Sequence, residues 1–227
     1  IDAGECAGDW IVYTVTVNPS LVVTCPVNLT VCADAPAFAL TGESPLGGIY
    51  SGTGVSLGMF DPALAGVGVH VITYTYANGC SNTCTFTITV NALPVVTCPA
   101  DLTVCADALA FELTGESPLG GIYTGLGVSL GLFDPAVAGP GVHVITYDYV
   151  DVNGCTNTCT FTITVNALPV VTCPADLTVC ADALAFALTG ESPLGGIYTG
   201  LGVSLGLFDP AVAGVGVHVI TYTYLDV

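Results

Sequence analysis

The chain has 227 residues, no lysine or arginine, 18 acidic residues and three histidines, which gives a formal net charge of −18 at pH 7. This charge excludes nucleic-acid binding, because contacts to phosphates require cationic side chains, and it argues against docking on anionic lipid. Although 52% of the residues are hydrophobic, the apolar runs are broken by Thr, Gly and Pro. None reaches the about 20 apolar residues that a membrane-spanning helix needs. Segments rich in Val, Thr, Ile, Tyr and Phe between Gly and Pro predict strands joined by turns, without helices.

The first predicted element is a strand close to the N-terminal end. The stretch GECAGDWIVYTVTVNPSLVVT (4–24) aligns with NGCTNTCTFTITVNALPVVT, which occurs later in the chain. In it Tyr13, Val15 and Val17 alternate with polar residues, as in a strand with one buried face. Residues 1–20 are therefore predicted to be the last strand of a repeat that precedes this chain or belongs to a neighbouring subunit.

Two residues of this segment stand out. Cys6 occupies the place of Cys80 and Cys155 in the alignment, so it could bond a cysteine of a neighbouring domain. Trp10 is the only tryptophan of the chain. It is interpreted either as an anchor of the strand in a partner groove or as an ordinary core residue.

Three repeats follow. The motif VVTCP recurs at Cys25, Cys98 and Cys173, and the block TGESPLGGIY occurs three times in the same relative position. A fixed recurrence of this kind is the signature of a tandem array. The predicted repeats are the first at 21–93, the second at 94–168, and the third at 169–227, which lacks its last strand.

Within each repeat the long strands can be recognised by alternation. In VHVITYTY (69–76), Ile72 and Tyr74 share one face, and in CTFTITV (84–90) Phe86 and Ile88 do the same against a row of Thr. An alternation of every second residue, with the bulky residues on one face, predicts half-buried antiparallel strands.

The motifs VVTCPADLTVCADA, GVHVITYTY and NGCTNTCTFTITVN resemble the immunoglobulin-like, hyalin-repeat-type modules of secreted Bacteroidota surface proteins. These include gliding-motility adhesins and cell-surface filaments. The resemblance covers nearly the whole chain. It implies an all-β fold of tandem immunoglobulin-like antiparallel β-sandwiches in an extracellular setting.

Eleven cysteines in a β-rich chain favour disulfides in an oxidising compartment. Zinc is the less favoured alternative, because the C-x6-C and C-x3-C spacings do not fit the usual zinc pairs. The cysteines predicted to form disulfides are Cys25, Cys84, Cys32, Cys80, Cys98, Cys159, Cys105 and Cys155.

The pairing follows from the sandwich that the resemblance implies, in which the first and last strands lie side by side and parallel. This arrangement favours Cys25 with Cys84 and Cys32 with Cys80. Local pairing, Cys25 with Cys32 and Cys80 with Cys84, is the alternative.

The third repeat lacks the stretch equivalent to 153–172, which holds a last strand. The strand is predicted to come either from the next subunit of a fibre, by donor-strand complementation, or from the same polypeptide continuing as a longer array. The residues predicted at this intersubunit or inter-repeat contact are Cys6, Trp10, Tyr13, Val15, Val17, Cys173 and Cys180.

No catalytic residue is predicted. The three histidines recur at one position of each repeat, which favours packing over a unique reactive site. A weak calcium candidate is the cluster Asp148, Asp151 and Asn153, since hard cations bind oxygen ligands. No other cofactor is expected.

The function predicted from the sequence is structural: a filament or adhesin stalk at the cell surface, whose partner is a further copy or a continuing array. The alternative is an adhesive module that binds a glycan or another surface. An enzyme is not expected.

Overall fold

The computed structural model describes residues 11–226, and strands dominate its ordered elements. The elements of the first repeat are β1 (Leu29–Cys32), β2 (Phe38–Ala39), β3 (Ile49–Ser51), β4 (Val55–Ser56), β5 (Met59–Phe60), α1 (Pro62–Ala65), β6 (Gly68–Ala77) and β7 (Ser81–Asn91). Those of the second are β8 (Leu102–Cys105), β9 (Phe111–Glu112), β10 (Ile122–Thr124), β11 (Val128–Ser129), β12 (Leu132–Phe133), α2 (Pro135–Ala138), β13 (Gly141–Val150) and β14 (Thr156–Asn166). Those of the third are β15 (Phe186–Ala187), β16 (Ile197–Thr199), β17 (Val203–Ser204), β18 (Leu207–Phe208), α3 (Pro210–Ala213) and β19 (Thr221–Thr223).

Each of the first two repeats forms two sheets. In the first repeat the strand orders are β1-β7-β6-β3 and β2-β5-β4, and in the second they are β10-β13-β14-β8 and β11-β12-β9. The long hairpin β6–β7 is antiparallel, whereas β1 pairs with β7 in parallel. The predicted all-β fold of immunoglobulin-like antiparallel sandwiches is confirmed.

The described residues form two compact units, 11–96 with 148–158 and 97–147 with 159–226. These bounds differ from those of the repeats, because the hairpin turn of the second repeat belongs to the first unit. The repeat bounds read from the sequence stay a prediction.

The core of each complete repeat depends on its last strand. In the first unit the buried cluster is Leu40, Phe60, Ile72, Phe86, Ile88 and Val90. The equivalent cluster of the second unit is Leu113, Phe133, Ile145, Phe161, Ile163 and Val165. In both clusters the last three residues alternate along one face of the last strand, so half of the buried cluster comes from that strand.

Three helices of one turn each correct the expectation that the chain has none. Each helix begins after an Asp and has Pro at its first position, as in Asp61-Pro62. Asp61 Oδ1 accepts the N–H of Ala63 at 2.9 Å, which satisfies a backbone donor that the short helix leaves unpaired. In the described part of the chain, four-residue helices like these are far too short to cross a membrane.

A two-residue turn joins β11 to β12 with unusual chemistry. Leu130 has φ 51° and Gly131 has φ 79°, and the Leu130 side chain is fully exposed. Such turns favour Asn-Gly, because a leucine in the left-handed region is strained by roughly 1 kcal/mol.

We therefore expect Leu130→Asn to raise the free energy of unfolding by about 0.5–1 kcal/mol. Leu130→Val is the matched control and should lower it, because a β-branched residue tolerates positive φ poorly. Urea titrations of the three proteins measure the effect. An Asn variant no more stable than the parent would contradict the interpretation of this turn.

Candidate functional site

Two disulfides join the starts of the parallel first and last strands. Cys25 bonds Cys84 in the first unit, and Cys98 bonds Cys159 in the second, with a Cα–Cα distance of 5.7 Å in both. The parallel pairing of β1 with β7 aligns these segments, since Leu29 lies opposite Ile88.

The predicted bond between Cys32 and Cys80 was wrong, because Cys32 bonds Cys155. Cys32 ends β1 opposite Asn91, the last residue of β7, while Cys80 precedes the first residue of β7. The 11 residues of β7 separate the two positions by roughly 35 Å at about 3.3 Å per residue. No disulfide can bridge that distance.

The same geometry rules out a bond between Cys105 and Cys155. Cys105 lies opposite Asn166 at the far end of β14, while Cys155 precedes Thr156 at its start. In the described part of the chain four cysteines are free and exposed: Cys80, Cys105, Cys173 and Cys180.

The third repeat contains an open groove where the other two repeats have their last strand. It is lined by 173–181 and 214–219, with Leu188, Tyr198, Phe208 and Ile220 on its floor. Its volume is about 740 Å³.

Two core residues on the floor of the groove are less covered than their counterparts in the second repeat. Leu188 and Ile220 are half-buried, whereas their counterparts Leu113 and Ile145 are buried in the second repeat. Because half of that repeat's core cluster lies on β14, the third repeat has only the other half within its described residues.

The edges of the groove also lack strand pairing. β13 has ten residues, but its counterpart β19 has only three, Thr221–Thr223. Residues 177–180 match β8 in sequence, yet among the described residues they form no strand. Both segments would pair with a last strand, so both are available to receive one.

A segment with the alternation expected of a last strand lies exposed elsewhere in the chain. Residues 11–18 belong to no sheet among the described residues, and Tyr13, Val15 and Val17 are 81%, 70% and 87% exposed. Aligned on the motif T-V-N, these three residues take the places of Phe86, Ile88 and Val90, which are buried in β7. Trp10 and Cys6, predicted at the same contact, lie outside the described residues.

The remaining candidate residues have structural roles. Nε2 of His70 lies 2.8 Å from the carbonyl oxygen of Gly66, and the same contact recurs in the other repeats. Asp151 Oδ1 accepts the N–H groups of Asn153 and Cys155, both at 2.8 Å, so this carboxylate closes the hairpin turn. The hydrogen bond from the Cys155 N–H contributes most, and together these bonds hold the pKa of Asp151 below its usual range.

No group of three potential metal ligands occurs in the described segment. Asp151 and Asn153 of the weak calcium candidate bond each other across the turn. The cluster therefore stays a sequence-based prediction of low specificity.

A tyrosine–carboxylate pair lies at the groove. The Tyr198 hydroxyl donates to Glu191 Oε2 at 2.7 Å, and equivalent pairs occur in the other repeats. Desolvation, followed by the hydrogen bond and the negative charge of Glu191, raises the pKa of Tyr198 to about 12. The raised pKa means that the folded state holds this proton more tightly than the unfolded chain.

We expect this pair to make stability fall at high pH. The contribution is fully present below pH 10, the ordinary pKa of tyrosine, and is lost as the pH rises through about 12. Urea titrations between pH 9 and 11.5 should show a steeper loss of stability in the parent than in Tyr198→Phe. Identical slopes in both proteins would contradict the assignment.

Comparison with known proteins yields distant structural matches. No protein-family model and no curated protein matches the chain. A Ca²⁺-stabilised adhesin that helps an Antarctic bacterium bind ice matches with TM-score 0.37 and 15% identity, over 85% of this chain and 60% of that one. Immunoglobulin domains 1–4 of Sidekick-1 match with TM-score 0.28 and 11% identity, over 64% of this chain and 48% of that one. Cadherin domains 1–4 of Protocadherin Gamma B7 match with TM-score 0.25 and 13% identity, over 88% of this chain and 66% of that one.

The similar structures are thus adhesin, immunoglobulin and cadherin β-sandwich domains, and this chain spans less than two thirds of each. At these TM-scores the matches carry no information on what this chain binds.

Proposed function

We propose that this protein is a structural part of an extracellular filament or adhesin stalk, built from disulfide-stapled β-sandwiches in series. Its third repeat is completed by a last strand, which the next subunit donates or the continuing polypeptide supplies. The observation that carries this proposal is the presence of an open groove in one repeat together with an exposed segment of matching pattern at 11–18.

The fit of strand and groove rests on the two complete repeats. In the second repeat Phe161, Ile163 and Val165 lie on one face of β14 and are nearly fully buried. Tyr13, Val15 and Val17 have the same spacing, so a strand 11–18 in the groove would cover its floor with three bulky side chains. Each buried side chain of this size contributes about 1.5–3 kcal/mol.

A donated strand would produce an open polymer. The groove and the strand are different surfaces of the same chain, so the contact is heterologous and leaves one free groove and one free strand at the ends. Main-chain pairing along the strand would supply affinity, and the alternating side chains would supply register.

The chemistry of the chain supports an extracellular setting. Three disulfides are present in the described residues, and disulfides persist in oxidising environments. The disulfides within the first two sandwiches and the repeated β6–β7 and β13–β14 hairpins suit a load-bearing role. The proposed activity is mechanical and involves no chemical step.

The test compares the 227-residue protein with the double variant Val15→Asp, Val17→Asp by sedimentation velocity and negative-stain imaging. We expect end-to-end association of the parent and loss of association in the variant, because two carboxylates would have to be buried in the groove. Val137→Asp, which changes an exposed valine outside strand and groove, is the matched control and should associate like the parent. A parent that stays monomeric at high concentration, or a double variant that associates normally, would contradict the donated-strand form.

A further inference from the structure

The disulfide between Cys32 and Cys155 joins one repeat to the next. Cys32 ends the first strand of the first repeat, and Cys155 lies in the turn 151–155 between β13 and β14 of the second repeat. The Cα–Cα distance is 5.6 Å, and Cys155 is fully buried. The bond thus joins the cysteine that ends the first strand of one repeat to the hairpin-turn cysteine of the following repeat.

In the third repeat, Cys180 occupies the position of Cys32, the cysteine that ends the first strand. The sequence LTVCADA is identical around Cys32, Cys105 and Cys180. In all three the cysteine carbonyl accepts the N–H of the alanine three residues later at 3.1 Å. Cys180 is exposed and free, and it lines the end of the open groove.

In the first repeat, Cys80 occupies the position of Cys155, the cysteine of the hairpin turn. It lies in the turn 78–80 and directly precedes β7, as Cys155 directly precedes β14. A main-chain hydrogen bond to the carbonyl of Cys80 closes this turn, from the N–H of Asn78 at 2.9 Å. Cys80 is exposed and free.

The linker after 11–18 contacts the first repeat as the linker after β7 contacts the second. Asn82 Nδ2 donates to the carbonyl of Leu21, in the linker after 11–18, at 2.6 Å. The equivalent Asn157 donates to Pro94, in the linker after β7, at 2.8 Å. The linkers 19–23 and 92–96 have the same length.

The last residue of each strand lies beside the turn that carries the cysteine. Asn91 ends β7 opposite Cys32, which is bonded to the turn of the second repeat. Asn18 ends the exposed segment 11–18, and a Cβ on Gly79 would lie 2.9 Å from Asn18 Nδ2. A strand 11–18 docked like β7 would place Asn18 opposite Cys180, with the turn of Cys80 next to it.

We propose that Cys180 of one copy and Cys80 of the copy that donates its strand form a disulfide, which makes the contact between successive subunits covalent. This inference rests on the donated strand of the proposed function. The two thiols lose two protons and two electrons to a disulfide oxidant. One thiolate attacks the oxidant to give a mixed disulfide, and the second thiolate displaces the reduced half, so one disulfide is consumed and two thiols are released.

The experiment uses full-length protein in which Cys6, Cys105 and Cys173 are replaced by serine, so that the thiols in question are Cys80 and Cys180. Oxidised glutathione serves as the oxidant. On a non-reducing denaturing gel we expect a ladder of covalent multimers that collapses with reductant. Adding Cys80→Ser or Cys180→Ser should each abolish the ladder. Mixing these two variants should restore a dimer and nothing larger.

Peptide mapping identifies the bond, and pepsin is the protease of choice because the chain lacks tryptic sites and acid prevents disulfide exchange. A peptide pair containing Cys80 and Cys180 is expected. Cross-linking that persists with Val15→Asp, Val17→Asp would overturn the inference, since the bond would then not depend on a docked strand. If the protein associates in sedimentation but this peptide pair is not found, the proposed disulfide is wrong, while the donated strand is still supported. Absence of both would contradict the proposed function as well.

Discussion

Replacing Cys98 and Cys159 together by serine is expected to lower the free energy of unfolding by about 4 kcal/mol. The bond closes a segment of 61 residues, and its removal frees that segment in the unfolded chain. It also releases the start of β14, whose Phe161, Ile163 and Val165 supply half of a buried cluster. Guanidinium titration of the second unit's transition measures the change.

The matched control for this variant is Cys105→Ser. Cys105 is exposed and unbonded, so its replacement should change the free energy of unfolding by no more than about 0.5 kcal/mol. A double variant as stable as this control would mean that the bond does not constrain the sandwich as described.

Gly48→Ala is expected to destabilise the first repeat by about 3 kcal/mol or more. A Cβ at this position would lie 2.4 Å from the carbonyl oxygen of Thr75 and 2.5 Å from Cζ of Tyr74. Tyr74 cannot retreat easily, because its buried hydroxyl donates to the carbonyl of Pro45 at 2.6 Å and accepts the N–H of Gly48 at 2.7 Å. The methyl group would therefore overpack the site and disturb two hydrogen bonds at once.

Thermal unfolding and urea titration measure this effect, with Gly58→Asn as the control. Gly58 has φ 78° and open space around it, and asparagine tolerates that conformation. We expect the control to stay within about 1 kcal/mol of the parent. Equal stability of Gly48→Ala and the control would contradict the close contact with Tyr74.

The fold could be predicted from the sequence because the repeat and the period-two alternation agree. Ile72 and Tyr74 of β6 and Phe86 and Ile88 of β7, grouped by alternation, are all buried in the structure. The one-turn helices were missed because four residues carry no periodic pattern, although an Asp-Pro pair at each start is a recognisable capping signal.

The open groove could also be predicted, since a comparison of the repeats finds no counterpart of β14 within 169–227 and finds its pattern at 11–18. The partner of Cys32 could not be predicted, because the cysteine spacing within one repeat does not show which turn of another repeat lies beside Cys32. The parallel pairing of β1 and β7 already excluded Cys80, since it puts Cys32 at the far end of the strand. The contact of Tyr74 with Gly48 was missed because a tyrosine in an apolar row resembles any other core residue.

Hydrogen exchange at the edges of the groove tests whether an added strand completes the third repeat. The acceptor is the variant Val15→Asp, Val17→Asp, whose own strand cannot compete, and the added peptide is IVYTVTVN, the sequence of 11–18. We expect slower exchange at 177–180 and 216–220, which form no strand among the described residues, and no change with a peptide carrying aspartate at the two valine positions. Unchanged exchange in both segments at saturating peptide would contradict the proposal that the third repeat is completed by such a strand.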